Sequence, residues 1–345
     1  MRGAVLPGER RVELRNYEVP VPGPGQVLVR TRASGLCGSD LRAIYRPSVQ
    51  GNGPEAYRGV IAGHEPAGVI ETIGPDVEGW AAGDRVLLYH IVGCGDCDDC
   101  RAGWMISCTS DARAAYGWQR DGGHADFILA EARTLVALPP ELSFVDGALV
   151  ACGFGTSYAA CLRAGIAAGE TVLVTGLGPV GLGTAMIARA MGANVIGVEA
   201  NVKRAEVARG LGVGVVLAAA DGTLEDVRER TAGMGVEVAI DCSAAQGGRD
   251  LTLTALRRWG RAVWVGEGGS FTFEPSPALI HHQLTLNGSW VCSVQQMREL
   301  VGLLVKWGTS PEAIVTNRLQ LDEVERAYRE FDSGMTGKIV LTWPE

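Results

Sequence analysis

The stretch "TVLVTGLGPVGLGTAMIARAMGANVIGVEA", Thr171–Ala200, decides how the chain is read. It opens on an apolar, β-branched run with the pattern of a buried strand. "PVGLGTAMIARAMGA" then carries apolar residues at helical spacing and ends at Gly192, and "NVIGVEA" is a second strand. Gly176, Gly178 and Gly181 sit at the turn between strand and helix, with Pro179 and Val180 opening the helix. That spacing is the dinucleotide fingerprint: one glycine for the tight turn, one for close approach of a pyrophosphate, one for helix–strand packing. A bare GxGxxG is weak evidence, and a glycine-rich turn in another α/β fold is the alternative. Here the strand before, the helix after and the next strand are all in place. The second strand ends in Glu199, 23 residues after Gly176, where an acid accepts the ribose hydroxyls of the adenosine half. A 2′-phosphate would meet that carboxylate, so the expected cofactor is NAD, with Lys203 and Arg204 close enough to soften the preference.

Outward from this turn the same grammar continues. "VKRAEVARGLG", "VVLA", a helix near 223–231, "VEVAIDCS", a helix near 247–258 and "RAVWVGEG" alternate helix and strand. This order predicts a parallel, doubly wound α/β domain over 153–293. Residues 1–152 read differently. "GQVLVRTRASGLC" alternates with period two, and "AGVIETIG", "GDRVLLYHIV" and "HADFILA" are further short β-branched runs before a proline-marked break at "ALPPELSF". After about 290 come the helix "VQQMRELVGLLVKWG", a short strand, the helix "LDEVERAYREFDSG" and the strand "GKIVLTW". A chain of 345 residues is too long for one core, so two domains are expected.

Apolar residues make up 47% and charged residues 20%, ordinary values for a globular protein. A formal charge of −8 without a basic stripe argues against nucleic acid or an anionic membrane as partner. The sequence offers no uninterrupted apolar run of membrane-spanning length and no signal peptide at its start, which predicts a cytoplasmic protein with reduced thiols. In that compartment "GCGDCDDCRAGWMISC", residues 93–108, is telling. Cys94, Cys97, Cys100 and Cys108 are separated by two, two and seven residues. Four closely spaced thiolates suit a structural zinc better than two disulfides, and a closed four-sulfur site leaves no position for substrate.

Three more residues gain meaning together. "SGLCGSD" places Cys37 just after a strand, "AGHEPAG" places His64 beside Glu65, and "VACGFGTS" places Cys152 at the domain junction. With "GHEPAGVIETIG", the four-cysteine loop and GLGPVG in order, the chain resembles the zinc-dependent medium-chain alcohol dehydrogenases over essentially its whole length. The resemblance implies a GroES-like β-rich catalytic domain, 1–152 plus 294–345, with a Rossmann domain, 153–293, inserted. It implies a second, catalytic zinc held by Cys37, His64 and Cys152, with Glu65 as an alternate ligand, and thus two zincs per chain. It also implies that Asp40 orients the ligating imidazole, that Ser39 starts a proton relay, and that Thr156 and the backbone of Val265, Gly266 and Glu267 pack against the nicotinamide. Many relatives carry a histidine five residues after the first ligand; this chain has Arg42, which stays protonated and cannot be a base.

His90 and His124 fall where the family places large apolar residues around the substrate. Imidazoles there would hydrogen-bond hydroxyl groups; the plainer reading of each is a histidine satisfied by its neighbours. Together with Tyr89 these positions favour a polyol, sugar alcohol or cyclitol over a simple alcohol as the small-molecule substrate. The expected activity is NAD-dependent oxidation of a secondary alcohol by a homodimer or homotetramer. The competing expectations are a zinc-free NADPH quinone or enoyl reductase of the same superfamily, and a non-catalytic nucleotide-sensing relative. The first would lack the three ligands and the acid at 199.

Overall fold

The computed structural model describes residues 1–46 and 57–344. The chain forms two compact units, Met1–Gly155 with Cys292–Glu345, and Thr156–Val291. The junctions expected at 152/153 and 293/294 thus fall three residues later and two earlier.

In the second unit six strands form one parallel sheet in the order Val215–Ala218, Asn194–Glu199, Thr171–Thr175, Val236–Asp241, Leu256–Trp264, Thr285–Gly288. This is the Rossmann order, with its reversal beside the first strand, where open α/β sheets hold ligands at the strands' carboxyl ends. Burial on both faces explains why Val172, Leu173 and Val174 form an unbroken apolar run. Gly176 leaves the first strand at φ +81°, a conformation glycine adopts without strain. The helix Pro179–Ala190 then begins with proline in its first turn, where no backbone N–H is required. The helix expected to reach 258 stops earlier, spanning Gln246–Thr254, and the next strand already starts at Leu256. Leu256 pairs with Val236 but Arg261 pairs with Val238, so extra residues bulge out, with Trp259 at φ +64°. The polar run Arg257–Arg258 hides that bulge from a periodicity argument.

The first unit is built on the long strand Gln26–Gly35. One of its edges pairs with Glu65–Ile73; the other is shared by Phe127–Glu131 and Lys338–Thr342. Val315–Gln320 continues the sheet beyond Lys338–Thr342, and Arg85–Leu88 and Leu135–Ala137 beyond Glu65–Ile73. Val27, Val29, Ile70, Val86 and Leu88 pack one core, and Leu36, Ile44, Tyr328 and Ile339 another. The C-terminal strand therefore belongs to the same sheet as residues three hundred positions earlier, which is how the Rossmann unit comes to be an insertion.

The chain from Phe144 to Ala164 is helical, a segment that sequence patterning leaves unassigned. It comprises Phe144–Leu149, a π-helical turn Val150–Phe154, and Gly155–Ala164. Gly147, Gly153 and Gly155 weaken its intrinsic helicity, and burial of Val145, Leu149, Val150 and Phe154 outweighs that cost. By length and composition this run is apolar enough to cross a bilayer, although Asp146 and Arg163 interrupt it. Within the protein 89% of its most apolar window is buried, the mark of a core helix.

A pair of alanine substitutions separates packing from ligand demands at the glycine turn. A Cβ at Gly181 would lie 1.8 Å from the Gly176 carbonyl oxygen, whereas one at Gly178 meets nothing within 4 Å. In denaturant melts Gly181→Ala is expected to lose about 1–3 kcal/mol, the usual cost of overpacking, and Gly178→Ala to unfold like the parent.

Candidate active site and metal centres

Three separate structural devices bring the donors of the first centre together. Cys37 follows the long strand and begins the single helical turn Gly38–Asp40. His64 immediately precedes the strand Glu65–Ile73, and Cys152 sits in the π-helical turn. π-turns of this kind displace a side chain from the helical register and recur at functional sites. The ligand atoms of Cys37, His64, Glu65 and Cys152 all lie within 4.8 Å of one another. His64 Nδ1 donates to Asp40 Oδ1 at 2.9 Å, which leaves Nε2 as the atom able to bind a cation. Asp40 is fully buried, and Trp118 Nε1 donates to the same oxygen at 3.2 Å.

The electrostatics of this cluster are those of a cation site. The Cys37 thiol is driven well below its ordinary value by a hydrogen bond with Cys152 and by the charge of His64, against burial. Cys152 moves the other way for the same reasons, its partner Cys37 and burial. Burial would lower the His64 pKa, but Asp40 and Cys37 carry it well above its ordinary value. A divalent cation bound by these groups would compete with their protons, so metal affinity at this centre depends on pH. Two sulfurs and an imidazole are a borderline-soft set that fits zinc and leaves a fourth position open. Glu65 is adjacent yet tied elsewhere. Its Oε2 lies 2.5 Å from Lys338 Nζ, and Lys338 also donates to the Leu36 carbonyl at 2.6 Å. Burial raises the Glu65 carboxyl to about 7 despite that lysine. Gly35 makes room for the pair, since a Cβ there would stand 2.0 Å from Glu65 Oε2.

The second cluster is the loop 93–108. Cys94, Cys97, Cys100 and Cys108 also have all their sulfurs within 4.8 Å of one another, with Cys94 and Cys100 at 4.0 Å. Tetrahedral zinc with bonds of about 2.3 Å places its sulfurs roughly 3.8 Å apart, so the set fits a closed four-thiolate site. Backbone N–H groups of Cys97 and Asp96 lower the Cys94 thiol to about 6, as a ligating thiolate requires. A Cβ at Gly93 would lie 2.4 Å from Cys100 Sγ, so the wrap needs glycine there. All nine cysteines are free thiols.

In the second unit the glycine turn is braced from the next strand. Glu199 Oε2 accepts from Leu177 N at 2.6 Å and Oε1 from Asn201 N at 2.8 Å. A carboxylate has about four acceptor sites, so two remain for hydroxyl donors. Arg204 lies in the first turn of the helix Val202–Gly210, which Asn201 caps. Val265 and Gly266 donate backbone hydrogen bonds to the Asp241 carbonyl, both at 2.9 Å, and Glu267 follows them on the surface. Thr156 is nearly buried at the start of this unit's first helix.

The two pocket histidines part company. His124 is a correction to the sequence reading, because both its ring nitrogens are taken by protein. Nδ1 pairs with Ser34 Oγ at 2.8 Å and Nε2 with the Tyr328 hydroxyl at 3.0 Å, and the ring is fully buried. Such a histidine holds strand to helix and has no group left for substrate. His90 stays beside the metal donors, its ring centroid 5.2 Å from that of His64. Its Nδ1 donates to the Ala151 carbonyl at 2.9 Å, which makes Nε2 the acceptor. Burial and the charge of His64 hold it near 4, so it is neutral at ordinary pH. Ser39, half-buried in the turn between Cys37 and Asp40, is placed next to the same centre by sequence adjacency. Trp118 and Lys338 escaped sequence reading; nothing in local pattern marks a tryptophan or a strand lysine as a partner of the centre.

Known proteins resemble this chain over its whole length. Residues 23–140 match the alcohol dehydrogenase GroES-like domain and residues 179–306 the zinc-binding dehydrogenase domain. The chain is 44% identical to an uncharacterised zinc-type alcohol dehydrogenase-like protein of Escherichia coli, covering 100% of this chain and 99% of that one. It is 29% identical to human sorbitol dehydrogenase over 97% and 93% of the two chains. The solved alcohol dehydrogenase of Thermus sp. ATN1 superposes with a TM-score of 0.89 at 27% identity, with 99% of each chain covered. The chain belongs to the zinc-dependent medium-chain alcohol dehydrogenase family.

The burial of His124 also sets a pH dependence. Burial lowers its pKa to about 4, so between there and about 6.5 the unfolded chain binds the extra proton. Stability therefore falls as pH drops through that window, by up to about 1.4 kcal/mol per unit from this residue. Denaturant melts at pH 5, 6 and 7 are expected to show a shallower slope in His124→Asn than in the parent.

Proposed function

We propose that the chain is an NAD-dependent dehydrogenase that oxidises a secondary alcohol to a ketone, its substrate being a polyol, sugar alcohol or cyclitol. The observation that carries the reading is the buried Cys37–His64–Cys152 donor set with Asp40 behind His64. Bound there, zinc supplies a Lewis acid that acidifies an alcohol hydroxyl, while NAD supplies the hydride acceptor. The protein's own groups do the rest. Asp40 fixes the His64 tautomer and makes the imidazole a stronger donor. Ser39 would pass on the proton that the substrate hydroxyl gives up, and because Arg42 is no base the relay does not end there. The Glu199 carboxylate, held by two backbone amides, favours unmodified ribose hydroxyls and disfavours a 2′-phosphate. His90 supports the hydroxylated substrate, since its Nε2 is an acceptor beside the metal donors. The four-cysteine loop holds the second zinc as a brace. The same reading has the protein working in the reduced cytoplasm as a dimer or tetramer.

Metal analysis should find two zincs per chain, falling to one in Cys152→Ala with activity lost by orders of magnitude. In a screen of alcohols with NAD, followed at the NADH absorbance, polyols should outpace plain aliphatic alcohols. His90→Phe should reverse that order, cutting kcat/KM for the best polyol about tenfold or more. Faster parental turnover of simple aliphatic alcohols than of every polyol would end the polyol assignment. The folded Gly178→Ala variant should bind NADH weakly, separating the nucleotide reading from stability.

A further inference from the structure

The second unit contains a buried charge pair that the chemistry above does not use. Asp241 closes the strand Val236–Asp241 and is fully buried. Its Oδ1 accepts from Thr175 Oγ1 at 2.8 Å, Ser243 N at 3.0 Å and Ser243 Oγ at 2.5 Å; Oδ2 accepts from Ala244 N at 3.1 Å. Arg249, on the helix Gln246–Thr254, holds its Nε 3.6 Å from Oδ2, so it balances the charge without a direct hydrogen bond. Its Nη2 turns instead to the carbonyls of Gly266 and Gly268, both at 2.8 Å. Its guanidinium also lies over the Trp264 ring, 5.3 Å from the centroid.

This pair ties together three chain segments leaving the carboxyl ends of neighbouring strands. Thr175 precedes the glycine turn, Ser243 and Ala244 follow the fourth strand, and Gly266 and Gly268 follow the fifth. The segments are in contact, since a Cβ on Gly266 would stand 2.3 Å from Ala244 N and one on Gly176 2.7 Å from Ser243 Cβ. Stability alone does not explain a buried guanidinium, because well-packed apolar residues usually serve a core as well or better. What the guanidinium does uniquely is orient peptides. The peptide bonds among the described residues are trans, so turning the Gly266 and Gly268 carbonyls toward Arg249 turns the N–H groups of Glu267 and Gly269 away from it.

We propose that Arg249, charge-balanced by Asp241, is the positioning residue for the nicotinamide end of the nucleotide site. It sets the backbone of Val265–Gly269 so that the N–H groups of Glu267 and Gly269 face the carboxamide, and links that segment to the glycine turn under the pyrophosphate. This rests on the NAD reading and is tested separately from it. NADH and ADP-ribose share the pyrophosphate and adenosine, but only NADH carries the nicotinamide.

The test is titration of the parent, Arg249→Met and Arg249→Lys with each ligand by calorimetry. The parent should bind both. In Arg249→Met the NADH Kd should rise about tenfold or more while that of ADP-ribose stays within about twofold, the size expected for lost hydrogen bonds and ordering. Arg249→Lys, which keeps the charge, should lie between. Equal weakening of both ligands, or unchanged NADH affinity in both variants, overturns the assignment. Hydrogen exchange on the parent needs no variant: NADH but not ADP-ribose should slow exchange at Val265–Gly269, and equal slowing by both overturns it too. A parent that binds neither ligand removes the NAD reading itself.

Discussion

The hydrogen bond between His64 Nδ1 and a fully buried Asp40 is the constraint from which the active centre follows. It fixes which imidazole nitrogen is left for a cation and keeps a carboxylate charge where water cannot neutralise it. Unpaired, such a charge would cost several kcal/mol. The centre answers it with Trp118 on the same oxygen, with the Cys37 amide reaching Oδ2, and with the His64 N–H itself. Cys37 and Cys152 complete the set, their sulfurs within 4.8 Å of the other donor atoms.

Around that centre, charge is handled in layers. Lys338 and Glu65 form a buried pair from two strands that flank Gly35, close enough that a methyl group on that glycine would not fit. The lysine holds the carboxylate beside the donors without its being one of them by necessity. In the Rossmann unit Asp241 and Arg249 repeat the device: a buried acid saturated by local donors, with an arginine supplying charge and spending its hydrogen bonds on backbone carbonyls. In both units a pair of opposite charges holds backbone segments that come from distant parts of the chain.

Much of the architecture was legible because it is periodic or local. The strand–glycine–helix turn at 171–190, the alternating strands and helices after it, and the four-cysteine loop each depend on neighbours within about thirty residues, so pattern suffices. Reading failed where tertiary packing overrides local preference. Glycines at 147, 153 and 155 hide the helix that carries Cys152, because its helicity comes from burial and not from propensity. Arg257 and Arg258 hide a bulge whose signal is a register shift between strands. The name of a residue was no guide to whether its nitrogens were free, which is why His124 and His90 looked alike and are not.

The amino-acid sequence by itself determined the class of fold and the four-cysteine set of the loop 93–108, since these rest on residue type and short spacing, while Cys37, His64 and Cys152, far apart in the chain, were legible only through the family resemblance. Only the tertiary structure decided which side chains surround those donors: Trp118 and Lys338 beside the centre, Ser34 and Tyr328 consuming both nitrogens of His124, and Arg249 facing two carbonyls past the fifth strand. The physical reason is range. A strand or a chelating loop is specified by nearby residues, whereas a hydrogen-bond partner 204 or 302 positions away in the chain is specified by nothing until the sheet has closed.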